Sequence, residues 1–399
     1  MTTPRPIAYF MPGPAHLFWT TGVFHLLELG RTHDVVIVTD DGRYDQSPDF
    51  QTIRELEFVL EHVQIVGQRL LSRHLLVKRA LEAATAKYPP DLLYLHNMNY
   101  IEDFYLLRLF RSRGEGITRV FFQNGRLTGD FRLDFQYRIA MDAKIIHEKM
   151  HLPWPIATAL VKLRGMVLSF LNYTVFPMLL TGKQFRPWYN VYTGVITSGY
   201  CEQWNTATDQ VFAYVEYEAD IYRKVGLRRV RAIDHPAKAH RRDLAQLLGR
   251  STIVHDQIVI LPSVGFTTEL QKTRTDDEVV GYLSQAWSLA LSELEGEHPA
   301  WPMVIKLHPA AANDPIWMRT IQNLKAAFAQ LSAVAPTLSA EALIEASRVV
   351  AGDVSSALWW AALIGDKKVI SFDYFGYPGG NELIAYDGIE VRSNRDAQG

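Results

Sequence analysis

Cysteine is almost absent: Cys201 is the single thiol among 399 residues. One cysteine builds neither an internal disulfide nor a cysteine-based zinc site, so the chain reads as intracellular, or at least as indifferent to redox state. A basic surplus is missing too, with 41 Lys and Arg against 43 Asp and Glu, which argues against a dedicated nucleic-acid binder. The opening residues lack the basic start and long apolar core of a secretory signal. No apolar run makes a convincing membrane span. The nearest, 165–182 (GMVLSFLNYTVFPMLLTG), is at the lower length limit and is interrupted by Asn172 and Pro177. Lys162, Arg164, Lys183 and Arg186 flank it, so it is expected to cover a domain or to rest on a membrane surface. Dinucleotide-fingerprint, Walker, H-E-x-x-H and G-x-S-x-G patterns are missing. The scattered His, Asp and Glu show no metal-ligand spacing, and no metal or cofactor is expected.

What remains is an ordinary globular balance, 48% apolar and 21% charged, in a chain long enough to bury a core without staples. Short apolar runs alternate with longer helical patterns, the signature of βαβ units. Strands are expected at 7–10, 35–39, 92–96, 119–122, 194–197, 211–215 and 230–233, then at 258–261, 303–307, 349–351 and 369–372. Helices are expected over 51–87, 100–112, 277–294, 315–331, 340–346 and 357–364. The pattern breaks at His235-Pro236 and the polar KAHRRDLAQLLGRST. This predicts an α/β protein of two Rossmann-like domains. The first is 1–236, with a helical insertion over about 135–190. A linker with a short helix follows over 237–252, and the second domain is 253–399. In such folds ligands sit at the carboxyl ends of the strands, here in the crevice between the domains.

Residues with chemistry cluster at those strand ends. The turn after the first strand holds Gly13, His16 and Thr20, and the second strand ends in Asp40-Asp41-Gly42. Adjacent carboxylates can raise one another's pKa and supply a general base; a histidine titrates near neutrality unaided. After 119–122 comes Gln123-Asn124-Gly125-Arg126. In the second domain MVIKLHP sets Lys306, His308 and Pro309 at a strand end, and Gly352-Asp353 leads to Ser355-Ser356 at a helix start. Free N–H groups and hydroxyls at a helix N-terminus make a phosphate seat, to which His and Lys add donors. His235 reads as structural, closing the last strand of the first domain, and Glu382 is a candidate contact to a ribose.

The K-x-H-P and Ser-Ser pair, the acidic-acidic-Gly turn and the Gln123–Leu127 stretch resemble motifs of GT-B glycosyltransferases of bacterial capsule and surface-polysaccharide assembly. Kdo transferases and bacterial sialyl- and polysialyltransferases are the nearest types. The resemblance implies a metal-independent transferase that moves an acidic sugar, such as Kdo or a sialic acid, from a CMP-linked donor to a glycan or glycolipid acceptor. Lys306, His308, Ser355, Ser356, Ser263 and Thr268 would hold the donor. Gln123, Asn124 and Arg126 would face the acceptor, and Asp41, Asp40 or His16 would act as base. The chain departs from the pattern at two places. Gln123 stands where the family has Glu, and Thr267 or Thr268 where it has an acid, and amides and hydroxyls do not exchange protons at neutral pH. Inversion is therefore favoured over retention. The rivals are a CDP-glycerol or CDP-ribitol phosphotransferase and a non-catalytic glycan- or nucleotide-binding relative. The implied location is cytoplasmic, at the inner face of the membrane, with 165–182 as the contact.

Overall fold

The computed structural model describes residues 4–393 except 14, 16–17, 40, 66–69, 97–104, 107–115, 124–130, 182–204, 206–207, 225, 251–252, 264–266, 268–269, 272 and 377–380. At 70, 131–138, 141, 169, 172–173 and 310 only the backbone is described. Packing divides the chain into two units, residues 1–127 with 161–251, and residues 128–160 with 252–399.

The chain begins β1 (Ile7–Met11), α1 (Val23–Leu29), β2 (Asp34–Thr39), α2 (Pro48–Arg54), β3 (Val59–Gln64), α3 (Leu70–Lys87), β4 (Leu92–Leu95) and β5 (Thr118–Phe122). Helices α4 (Phe131–Met150), α5 (Trp154–Phe170) and α6 (Phe176–Thr181) follow, then β6 (Gln210–Ala213), α7 (Glu216–Lys224), β7 (Val230–Ala232) and α8 (Ala237–Leu247). The first unit's seven strands are all parallel, in the order β3-β2-β1-β4-β5-β6-β7. Central strands of such sheets are covered on both faces and so read as unbroken apolar, β-branched runs. Val35–Val38 of β2 and Ala8–Met11 of β1 obey this, each residue being buried.

The second unit runs β8 (His255–Leu261), α9 (Asp276–Glu297), β9 (Met303–Ile305), α10 (Pro315–Ala327), β10 (Leu331–Ala333), α11 (Ala340–Ala346), β11 (Ser347–Gly352), α12 (Ser356–Ile364), β12 (Lys368–Asp373) and β13 (Ile389–Ser393). Its six parallel strands are ordered β10-β9-β8-β11-β12-β13. Local signals set the helix ends. Thr275 and Glu278 form a reciprocal capping box on α9, Asp314 caps α10 with Pro315 in its first turn, and Gly365 (φ 77°) ends α12 in the left-handed region. Ile258 and Ile260 of β8 pack with Trp287 and Leu291 of α9 and Trp317 of α10. Each such buried side chain contributes about 1.5–3 kcal/mol. The two tandem Rossmann-like domains expected of a GT-B-type architecture are therefore present.

Three strands were not expected. The stretch 51–87 is not one helix but α2, β3 and α3, and β10 and β13 arise where no strand was placed. The stretch 237–252 carries α8, which packs on α1 of the first unit. His240 Nε2 meets Glu28 at 2.5 Å, and Arg250 pairs with Asp49. Residues 128–160, assigned by sequence to the first domain, group with the second unit. There Lys144 of α4 donates to Gln271 (3.0 Å) and pairs with Asp314 (3.5 Å). The expected strand at 194–197 and most of the helix at 100–112 lie outside the described residues. Among the described residues no helix is long and apolar enough to cross a membrane.

Candidate functional site

In an open parallel sheet the chain leaves the first strand in one direction and returns on its other side, and a ligand crevice forms at the carboxyl ends where the direction reverses. In the second unit that point lies between β8 and β11. The register brings Leu261 beside Gly352, so Ser263, Asp353 and Ser355 gather there, with Lys306 and His308 one strand away after β9. The two strands approach closely because residue 352 is glycine; a Cβ there would lie 2.7 Å from the Leu261 carbonyl oxygen.

Asp353 is buried and organises this edge. Its carboxylate accepts from Ser263 N–H (2.7 Å), and its carbonyl accepts from Ser355 N–H (2.9 Å) and from the Ser371 hydroxyl (3.1 Å). Asn381 donates to that same hydroxyl at 2.8 Å. Ser355 is the N-cap of α12, accepting from Ala357 N–H at 3.2 Å, and Ser356, in the first turn, is exposed. The cap uses the Ser355 lone pair and leaves its proton to donate. Lys306 is buried, 6% exposed, and its ammonium donates to the Leu307 carbonyl at 3.2 Å. Burial pulls its pKa below the ordinary lysine value, opposed by the field of Glu341. Among the described residues no carboxylate comes within ion-pair distance of it. A buried cation without an anion is costly, and this one follows β9, separated by β8 from the strand that leads to α12. His308 is exposed at the start of the turn Pro309–Ala311. Glu382 begins the turn Glu382–Ala385, whose cap is Asn381. Thr268 lies outside the described residues; Thr267 is buried, and its hydroxyl accepts from Trp317 Nε1 at 3.0 Å, a core contact.

In the first unit the equivalent point lies between β1 and β4, where Met11 pairs with Leu95. Gly13 turns the chain with φ 81°, and its carbonyl accepts from the Tyr44 hydroxyl at 2.7 Å. His16, Asp40, Asn124 and Arg126 lie outside the described residues. Asp41 is described. Burial pushes its carboxyl up. Hydrogen bonds from Arg43 Nε (2.9 Å), Arg43 N–H (3.0 Å) and Ala15 N–H (3.2 Å), with the Arg43 charge, outweigh that and hold it below the usual carboxylate range. Its carboxylate ties the β2 turn to the β1 turn.

Gln123 is buried at the end of β5, its N–H donating to Phe212 O at 2.9 Å. Its carbonyl ends a chain of polar groups not anticipated from sequence. Tyr214 Oη donates to Gln123 O, His25 Nε2 lies 2.8 Å from Tyr214 Oη, and Tyr94 Oη lies 2.8 Å from His25 Nδ1. Burial, with the fields of His235 and His240, holds the His25 pKa well below its usual value. The ring is neutral and carries one proton. Tyr214 spends its proton on Gln123, so His25 Nε2–H donates to Tyr214, and Tyr94 donates to His25 Nδ1. The His235 ring lies tilted against that of Tyr214, 4.3 Å between centroids, and its Nδ1 accepts from Ala237 N–H at 3.1 Å. His96 follows β4 and is buried at the switch point. Burial pushes the pKa of both His96 and His235 down to about 3. The one readable signal was the histidine closing the 92–96 strand; nothing in GVFHLLEL marks His25 as a hub.

No protein-family model matches the sequence, and no curated protein matches it. Solved structures do. The UDP-GlcNAc 2-epimerase of Methanocaldococcus jannaschii superposes with a TM-score of 0.53 at 10% identity, over 97% of this chain and 89% of that one. The enzyme of Neisseria meningitidis, solved with UDP-GlcNAc bound, gives 0.53 at 11%, over 96% and 86%. A further UDP-N-acetylglucosamine 2-epimerase gives 0.54 at 10%, over 98% and 84%. At such identity the likeness speaks for the fold alone, an architecture of two parallel-sheet α/β domains shared along nearly the whole chain.

Proposed function

We propose that this chain is a nucleotide-sugar-dependent glycosyltransferase of bacterial surface-polysaccharide assembly. Its donor is a CMP-linked acidic sugar such as Kdo or a sialic acid, transferred with inversion. The observation that carries the reading is Lys306, buried just after β9 and, among the described residues, with no carboxylate in ion-pair distance, at the same sheet edge as the Ser355-capped start of α12. A phosphate seated there would neutralise Lys306 and accept from the Ser355 and Ser356 hydroxyls, His308, and the first N–H groups of the helix. The same contacts would stabilise the charge that builds on the departing nucleotide. The acceptor hydroxyl attacks the anomeric carbon, its proton passing to a base on the first unit's edge. The engaged, acid-shifted Asp41 is suited to fixing that turn, which leaves Asp40 or His16 as the proton acceptor. Gln123, Asn124 and Arg126 belong to the acceptor side, and Thr268 to the donor side. The acceptor is a glycan or glycolipid at the inner face of the cytoplasmic membrane.

A second reading is favoured by the epimerases of the same fold: a uridine-diphosphate sugar would occupy the same phosphate seat. Thermal shift with CMP, CDP, UDP and GDP separates the two. A nucleotide at about 100 times its dissociation constant adds about 2.7 kcal/mol of stability. The proposal expects the largest shift from CMP or CDP. A shift from UDP alone favours the second reading, and no shift from any of them refutes the seat.

A further inference from the structure

Helix α5 presents its residues in the reverse of the usual order. A helix on a protein folded in water buries its large apolar side chains and exposes polar ones. In α5 the buried residues are the small Ala157, Val161 and Gly165, one turn apart. Leu163, Met166, Val167 and Phe170 point to solvent, as do Met178 and Leu179 on α6; Leu163 is 58% exposed and Leu179 66%, against 7% for Val161. Apolar surface gathered along one element in this way marks an interaction site. Charge is segregated over the same stretch. From Lys149 to Cys201 the sequence holds no Asp or Glu but has Lys149, Lys162, Arg164, Lys183 and Arg186, in a chain with two more acids than bases overall. Lys162 and Arg164 are exposed on α5 itself.

We propose that the α5–α6 face seats the protein on an anionic lipid bilayer, with the apolar side chains at the acyl boundary and Lys162 and Arg164 among the headgroup phosphates. An acid-free cationic helix with large apolar residues outward is complementary to that surface. A two-fold pair of copies would set these cations against one another. The inference stands independently of which nucleotide the second unit binds.

The test is sedimentation of the full-length protein with vesicles of phosphatidylcholine, alone or doped with phosphatidylglycerol, at low and high salt. The anionic vesicles should bind the protein about tenfold more strongly at low salt, and high salt should erase the difference. Lys162→Glu/Arg164→Glu should lower the anionic partition about tenfold or more. Leu163→Gln/Val167→Gln should lower partition to both vesicle types. Circular dichroism and nucleotide-induced thermal shift equal to wild type establish that each variant is folded. Equal binding to both vesicle types overturns the proposal, as does unchanged partition in the apolar variant. A dimer that the apolar variant dissolves, with no vesicle binding by wild type, assigns the face to self-association and also overturns it.

Discussion

Lowering the pH from 7 to 5 should destabilise the first unit selectively. His96 and His235 are buried and neutral, with pKa values pushed down to about 3; in the unfolded chain each returns to about 6.5. Between those values the unfolded state binds more protons than the folded state, so stability rises with pH and falls on acidification. From pH 7 to pH 5 each such histidine costs about 2 kcal/mol, roughly 4 kcal/mol for the pair. His25 acts in the same direction. Set against a typical total of about 5–15 kcal/mol, that is a large share. Asp41 does not contribute in this window. Its depressed pKa supplies stability that is present above the unfolded value of 3.8 and is lost only as pH falls below it. Urea unfolding followed by circular dichroism at pH 7, 6 and 5 measures the effect. All three histidines belong to the first unit, so one transition should move and the other stay. A first-unit transition that does not weaken between pH 7 and 5 would refute the reasoning. So would full pH dependence in the His96→Gln/His235→Asn double variant.

Lys306→Met should leave the ligand-free protein as stable as wild type or more so, because a buried cation with no carboxylate in ion-pair distance among the described residues is replaced by an apolar chain of similar length. It should also weaken nucleotide binding by roughly 1.5–3 kcal/mol in calorimetry, whereas a purely structural lysine would show the opposite pattern. Gly352→Ala should cost about 1–3 kcal/mol in second-unit stability, since its Cβ meets the Leu261 carbonyl at 2.7 Å; an unchanged melting temperature contradicts that. Replacing the base, Asp40→Asn or His16→Ala, should cut turnover roughly 10²–10⁴-fold with donor affinity near wild type. If both retain normal turnover, the proton goes elsewhere.

The sequence was most legible where burial on both faces forces an apolar run. Strands β1, β2, β8 and β11 lie inside their sheets and stood out. The three unanticipated strands, β3, β10 and β13, are all edge strands. An edge strand has one neighbour and less cover, so it need not be apolar throughout. In β3, VLEHVQ carries Glu61, His62 and Gln64 and merges with the helical patterns around it. The second unit's candidate phosphate-binding residues were readable for a different reason. Strand ends and helix starts are local, so Lys306, His308 and Ser355 could be found from spacing alone. The His25 network is not local. Its histidine and Tyr214 are 189 positions apart, and no pattern within either segment records the other.

The division of the chain has a consequence for synthesis. Residues 128–160 emerge early, yet their packing partners begin at Thr252, so α4 must wait while 161–251 are made. At about 5–20 residues per second that delay is roughly 5–20 s, during which β1 to β5 of the first unit are already made, β6 and β7 are still being added, and Ala140 and Ala143, buried in the finished protein, wait for the second unit. A chain stopped at Ser251 is thus not an isolated domain. It is a folded sheet with α4 and the start of α5 left without their partners, and it should aggregate or be degraded unless 128–160 is excised and bridged. Expression of the first unit alone therefore calls for an internal deletion rather than a C-terminal truncation.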